Sequence, residues 1–159
     1  MTERRIAREL AEMGRDPPAN VLGVTTAFDN MYLWEVTILG PKGSPYEGGV
    51  FLLKIEFPRD YPFRIPKLKF ATPIYHINIR AGGSIALCDL CYTCGGAANV
   101  WSPAMTMRQL VLTVSELFAN PKPDDCHSEK LHEWRTNKAK FEQTAREWTA
   151  KHAIKAPSS

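Results

Sequence analysis

The sequence predicts an α+β fold in a single domain. Apolar residues recur at helical spacing near both ends of the chain, whereas they alternate with polar residues in its middle. The alternating segments are joined by short connections rich in glycine and proline, which favour an antiparallel meander over crossover units. A length of 159 residues fits one domain with its own hydrophobic core. Helices and strands segregated along a chain in this way are typical of α+β proteins.

The composition excludes several classes of protein. Hydrophobic residues make up 44% of the chain and charged residues 23%, as in an ordinary globular domain. No apolar run approaches the roughly 18 residues of a membrane-spanning helix, and the charged start at Met1–Arg5 leads us to expect no signal peptide. A net charge of +3 is too small by itself to indicate nucleic-acid binding. We therefore expect neither a membrane nor a nucleic acid as partner.

The first element is predicted to be an amphipathic helix over residues 2–14. Its apolar stripe consists of Ile6, Leu10 and Met13. Three arginines lie on another face, namely Arg4, Arg5 and Arg8. From the pattern alone these arginines would form a solvated surface. The pair Pro17–Pro18 lacks the N–H groups that would continue the helix and so ends it.

A four-stranded antiparallel sheet is predicted to follow. Apolar and polar residues alternate with period two over 32–38, 50–57 and 67–70, which is typical of half-buried strands. A weaker strand is predicted over about 21–26.

Residues 71–105 have no clear period, and so long an irregular stretch in a small domain is usually functional. Helical spacing returns near residue 106, where Thr106 and Gln109 form a capping-box pattern. Two more helices are predicted within 128–153, and residues 154–159 are predicted to be a short flexible tail.

Seven short motifs run in a fixed order from about residue 4 to residue 153. They are Arg5-Ile6-x-x-Glu9-Leu10 with Arg15-Asp16-Pro17-Pro18; GPKGSPYEGG at 40–49; Phe57-Pro58-x-x-Tyr61-Pro62-Phe63-x-x-Pro66; Tyr75-His76-Ile77-Asn78-Ile79 with Gly83-Ser84-Ile85; Trp101-Ser102-Pro103-Ala104; PKPDD at 121–125; and Ala145-Arg146-Glu147-Trp148-Thr149. Together they resemble the ubiquitin-conjugating enzymes, or E2s, and most closely the core-only members that serve many RING-type ligases. The resemblance implies the E2 (UBC) fold over residues 1–153.

The activity implied by the resemblance is the relay of ubiquitin as a thioester. An activating enzyme, E1, passes ubiquitin to an E2 cysteine, and the E2 transfers it to a lysine amine with the help of a RING-type ligase, E3. The cysteine must be a nucleophile as thiolate and also leave readily. The resemblance implies no cofactor for the E2 itself, a monomer as the default, and a cytoplasmic or nuclear location.

Two polar residues match the family's catalytic loop positions. Asn78 matches an asparagine that stabilises the charged intermediate or orders the loop. The family's His-Pro-Asn motif reads His76-Ile77-Asn78 here, so the turn lacks the fixed φ of proline. We expect His76 to pack and hydrogen-bond rather than to catalyse. Asp125 matches an acidic residue that orients the incoming lysine and eases its proton loss, although an aspartate that caps the next helix fits the pattern as well.

A further set matches positions that the family uses to dock E1 and E3. These residues are Arg4, Arg5, Arg8, Pro62, Phe63, Ser102, Pro103 and Ala104. An exposed apolar edge near Pro103 would agree with a partner site.

The nucleophile position itself departs from the family. It lies eight residues after Asn78, where this chain has Ala86, and a methyl group cannot form a thioester. Three explanations stay open: an engineered replacement of cysteine, a natural E2-like adaptor that transfers nothing, or a nucleophile displaced to Cys88. Two residues of extended chain move the sulfur by about 6–7 Å. Cys88 can therefore act only if the loop is rebuilt around it.

The loop is longer than in the family core, because residues 88–99 are additional. The spacing of three cysteines in it, with a fourth further along, also permits a metal site formed by Cys88, Cys91, Cys94 and Cys126. The paired zinc knuckles are missing, and loop cysteines in a reducing compartment need no metal. We therefore expect no metal.

Overall fold

The computed structural model of the protein describes residues 2–85, 102–123 and 130–155. The elements are α1 (Thr2–Arg15), β1 (Val21–Ala27), β2 (Asn30–Leu39), β3 (Gly49–Glu56), β4 (Lys67–Phe70), α2 (Met107–Glu116), α3 (Lys130–Thr136), α4 (Lys138–His152) and β5 (Ile154–Lys155). The predicted α+β class is confirmed, including the weak first strand. None of the described helices is long and apolar enough to cross a membrane.

The sheet is an antiparallel meander in the order β1-β2-β3-β4. Alternate residues of β2 and β3 are buried, and opposite partners such as Val36 and Leu53 share the inner face. The two-residue turn between β1 and β2 contains Phe28 and Asp29, which both have positive φ angles. The period-two pattern thus selects the face of the sheet that meets the helices.

Two helices cover the inner face. α1 buries Ile6 and Met13 as predicted, but its third buried residue is Glu9 rather than Leu10, which is only partly buried. α2 begins with the predicted capping box, in which the Thr106 hydroxyl accepts from the Gln109 N–H. Its buried stripe continues beyond the helix into Phe118, whose ring stacks on Phe51 of β3. This aromatic layer supports the segment that carries His76.

The predicted tail needs a correction at its first two residues. Ile154 and Lys155 form β5, which pairs with Val50 and Gly49 at the start of β3. The short β4 pairs only with Leu53–Glu56, so the beginning of β3 has an open edge that β5 occupies. A strand of two residues has no detectable period, which is why the sequence does not predict it. Residues 156–159 lie outside the described residues.

Candidate active site

The turn over Tyr75–Ile79 is built around a buried histidine. The His76 ring is fully buried, and its Nδ1 accepts a hydrogen bond of 2.9 Å from the Asn78 N–H. Nε2 therefore carries the proton and donates to the Leu117 carbonyl at 2.7 Å. Burial is the largest cause of a pKa lowered to about 4 for His76; the Lys130 charge adds to this effect, and the bond to Leu117 opposes it. The packing role predicted for His76 is confirmed.

The Asn78 side chain pairs with the backbone of a distant residue. Its Nδ2 donates to the Lys122 carbonyl at 2.8 Å, and its Oδ1 accepts from the Lys122 N–H at 2.9 Å. The residue is fully buried. Both ends of the amide thus pair with the backbone of residue 122, and the two roles that the resemblance allows for Asn78 stay predictions.

The chain then turns back past Asn78 through Gly83. This glycine has a φ of +92°, and a Cβ there would lie 2.1 Å from the Phe70 carbonyl oxygen, so only glycine fits. The Phe70 N–H donates to the Gly83 carbonyl at 2.9 Å. Ile85 forms a bridge with Ile79, the residue after Asn78. The backbone thus reaches residue 85 beside the turn that bears Asn78.

Several predicted residues lie outside the described part of the chain. They are Ala86, Cys88, Cys91, Cys94, Asp125 and Cys126. Their roles stay predictions. Within residues 2–85, 102–123 and 130–155, no three or more histidine, cysteine or acidic side chains are grouped so as to hold a metal ion.

A third contact reaches the turn from α3. The Lys130 Nζ donates to the Ile79 carbonyl at 3.0 Å and to the His76 carbonyl at 3.4 Å. It also lies 5.1 Å from the centre of the Tyr75 ring. One helical turn further on, the Glu133 carboxylate accepts a 2.7 Å hydrogen bond from the Tyr75 hydroxyl. Neither α3 residue was predicted to belong to the site.

A buried carboxylate connects the segments predicted to dock partners. Glu9 Oε1 lies 2.7 Å from the Arg5 Nε, and the Tyr61 hydroxyl donates to Glu9 at 2.8 Å. Glu9 Oε2 accepts from the Met107 N–H at 2.8 Å, at the start of α2. We call these four residues the Glu9 network. It joins α1, the 57–66 loop and the start of α2 at one point, since each segment donates to the same carboxylate.

The predicted docking residues differ in their exposure and in whether they contact Glu9. Five are exposed: Arg4, Arg8, Phe63, Pro103 and Ala104. Pro62 and Ser102 are partly exposed, and the Ser102 hydroxyl accepts from the Ala104 N–H at 3.2 Å. Arg5 differs, because its guanidinium contacts Glu9 and donates to the Met105 carbonyl at 2.8 Å. Its side chain is only partly exposed, and its docking role stays a prediction.

Sequence reasoning missed Glu9, Tyr61 and Lys130. A signal for Glu9 exists, because it lies beside the apolar stripe of the first helix and four residues after Arg5. An acidic side chain at that position has to be paired if the helix packs on the sheet. For Lys130 the sequence offers no comparable signal.

Comparison with known families agrees with this geometry. The chain matches the ubiquitin-conjugating enzyme family over residues 5–149. That range contains the whole Glu9 network, the turn that bears Asn78, and the α3 residues that contact this turn.

Proposed function

Because the chain belongs to the ubiquitin-conjugating enzyme family, we propose that its site is the thioester site of an E2. In this role the core receives ubiquitin from E1 and passes it to a lysine amine with a RING-type E3. We further propose that the chain is silent at Ala86 and that a cysteine there would restore transfer. It would act as a monomer in the cytoplasm or nucleus, without a cofactor of its own.

One observation carries the proposal. Gly83 is fixed against Phe70, and Ile85 is bridged to Ile79, so residue 86 follows directly from a backbone anchored beside Asn78. This arrangement supports residue 86 as the nucleophile position. A thiolate there would attack the E1-bound ubiquitin thioester and displace the E1 sulfur, which forms a new thioester on the E2.

In the discharge step, the described side chains mainly hold the loop in place. A lysine nitrogen attacks the thioester carbonyl, the C–S bond breaks, and the sulfur leaves as thiolate. His76 is neutral, buried and hydrogen-bonded on both ring nitrogens, so it does not carry the proton. We assign proton acceptance from the incoming amine to Asp125 or to water beside it.

The docking surface supports contact with E1 and E3. Phe63 is 76% exposed, a large apolar side chain on a loop that the Glu9 network holds next to α1 and α2. Arg4 and Arg8 are exposed on α1 and supply positive charge for acidic partner residues.

A second candidate is an E2-like adaptor without transfer activity. Ala86 itself favours it, because the docking residues are retained while the reacting atom is lacking. An adaptor would bind E1 or a RING domain and form no adduct.

A charging assay separates the alternatives. The chain, Ala86→Cys, Cys88→Ser and the double variant are each incubated with E1, ATP and ubiquitin and run on gels with and without reductant. We expect a reducible, ubiquitin-sized shift only in the two forms with cysteine at residue 86. If the unaltered chain shifts and Cys88→Ser abolishes the shift, the nucleophile has moved to Cys88. If no form shifts but RING binding persists, the adaptor function replaces the enzyme.

A further inference from the structure

The turn that carries Asn78 lacks the residue that would stiffen it. Ile77 has no ring to fix φ, so the conformation of the turn depends on contacts made by its neighbours. Two such contacts are internal to the site: the His76 ring accepts from the Asn78 N–H, and the Asn78 amide pairs with Lys122. Within the turn the Ile79 N–H donates to the His76 carbonyl at 3.2 Å, and neither of the two contacts above reaches the Ile79 carbonyl.

Lys130 holds two of these carbonyls. Its ammonium group has three N–H donors and no acceptor, which suits a site with two carbonyl oxygens. The contacts at 3.0 Å with Ile79 and 3.4 Å with His76 lie on either side of Asn78 in the sequence. Hydrogen bonds from a charged donor are stronger than neutral ones, and the nearby Tyr75 ring face favours a cation. Lys130 thereby binds the Ile79 carbonyl and adds a longer contact to the His76 carbonyl, which also accepts from the Ile79 N–H.

The Lys130 charge also suits the hydrogen bonding of His76. Nδ1 can accept from Asn78 only while the imidazole is neutral, and a nearby cation disfavours the imidazolium. The other groups packed against this ring are Tyr46, with ring centres 5.5 Å apart, Phe118, and the Leu117 carbonyl. The acidic groups on this side are Glu133, which accepts from the Tyr75 hydroxyl, and Glu142, whose charge adds to burial in raising the pKa of Tyr46.

Two lysines from different parts of the chain contact this turn. The backbone of Lys122 pairs with the Asn78 amide, and the Lys130 ammonium contacts the Ile79 and His76 carbonyls. The turn is therefore held from outside both at its asparagine side chain and at its carbonyls.

We propose that Lys130 is a positioning residue of the transfer site, which fixes the turn around Asn78 by binding the carbonyls of Ile79 and His76. Its effect on transfer rests on the proposed E2 function. Its effect on the turn does not, so the two can be tested separately.

The first test uses the chain as it is, with Ala86. NMR spectra of the unaltered chain, Lys130→Met, Lys130→Arg and Lys138→Met are followed from pH 7.5 to about pH 3, which spans the pKa of about 4 for His76. Lys138 is the matched control, because its ammonium lies 4.8 Å from the centre of the Trp134 ring, whereas the Lys130 ammonium donates to carbonyls of the turn. We expect Lys130→Met to raise the pH at which His76 titrates and to shift the Asn78 side-chain amide signals. Lys130→Arg and Lys138→Met should leave both unchanged.

The second test uses the same variants in the Ala86→Cys form. Release of ubiquitin from the preformed thioester to free lysine should slow about tenfold in Lys130→Met, which corresponds to about 1.4 kcal/mol. Charging by E1 should change less than twofold, and Lys130→Arg should restore release. A Lys130→Met variant with normal NMR signals overturns the proposal, whatever its activity. If the cysteine form does not charge at all, the E2 function fails while the NMR result still decides the role of Lys130.

Discussion

The side-chain amide of Asn78 and the backbone of Lys122 form a closed pair of hydrogen bonds, 2.8 and 2.9 Å long, across 44 residues of sequence. The pair has the donor and acceptor pattern of two adjacent strands. It makes a side chain part of the backbone framework that surrounds the site.

Asn78→Ala should therefore destabilise the fold. It removes the partners of a backbone N–H and a carbonyl at Lys122, and each unpaired group costs about 1–3 kcal/mol when buried. Asn78→Asp should also destabilise it, because a carboxylate would face the Lys122 carbonyl at the Nδ2 position. Urea unfolding measures both effects. The loop-ordering role would be refuted by variants that keep full stability and yet lose transfer in the Ala86→Cys background.

Glu9→Gln should lower the free energy of unfolding by about 3 kcal/mol, the size expected when one member of a buried charged network is removed. The amide oxygen can still accept, but the amide nitrogen would meet donors from Tyr61 and Met107. Glu12→Gln, on the same helix and only partly buried, is the control and should change stability by less than about 0.5 kcal/mol. Equal urea midpoints for the two variants would contradict the network.

The stability of the protein should fall between about pH 6.5 and pH 4. The pKa of His76 is about 4 in the fold and near 6.5 in the unfolded chain, so the unfolded state binds more protons in this range. The stabilisation is complete above pH 6.5 and is lost as pH falls toward 4, by about 3 kcal/mol in total. Unfolding curves at several pH values measure this slope. The control is His132→Gln, which replaces an exposed histidine and should keep the slope. The slope should be reduced in His76→Gln.

Gly83→Ala should disturb the approach to residue 86. The substituted residue would be strained at φ +92° and would clash with the Phe70 carbonyl, at a cost of about 2 kcal/mol or more. The control is Gly82→Ala, because a Cβ on this neighbouring glycine would have open space within 4 Å. In the Ala86→Cys background we expect charging by E1 to be impaired by the first substitution and retained by the second. Normal charging of Gly83→Ala would contradict the register proposed for residue 86.

Phe63→Ala should weaken RING-domain binding about tenfold, or about 1.4 kcal/mol, because an exposed aromatic anchor is lost. Stability should hardly change, since the side chain is 76% exposed. Phe28 is 93% exposed at the β1–β2 turn and serves as a matched aromatic control. Calorimetric titration with a RING domain should distinguish Phe63→Ala from Phe28→Ala. Equal affinities would remove Phe63 from the docking surface.

Most of the fold can be predicted because its elements have a clear period. The stripe of α1 and the alternation of β2 and β3 each identify the buried face before any contact is known. The motif around Asn78 likewise indicates an ordered loop, and the packing of His76 agrees with that expectation.

The contacts that support the site join segments far apart in the sequence, and no sequence pattern indicates which segments will meet. Lys130 reaches carbonyls more than fifty positions earlier, and Glu9 meets donors from three segments. An isolated lysine or glutamate is most often a solvated surface residue. Only the packed fold buries Glu9 and brings Lys130 against the carbonyls of the turn.

The shared carboxylate of Glu9 has a practical consequence for mapping partner sites by alanine scanning. Removing Arg5 or Tyr61 would loosen three surface segments at once, so affinity would drop although neither side chain has to touch the partner. Such a scan would assign Arg5 and Tyr61 to the partner interface even where they do not contact the partner. Melting temperatures measured with each affinity would separate the two kinds of residue. A contact residue should lower affinity alone, whereas a member of the Glu9 network should lower both affinity and melting temperature.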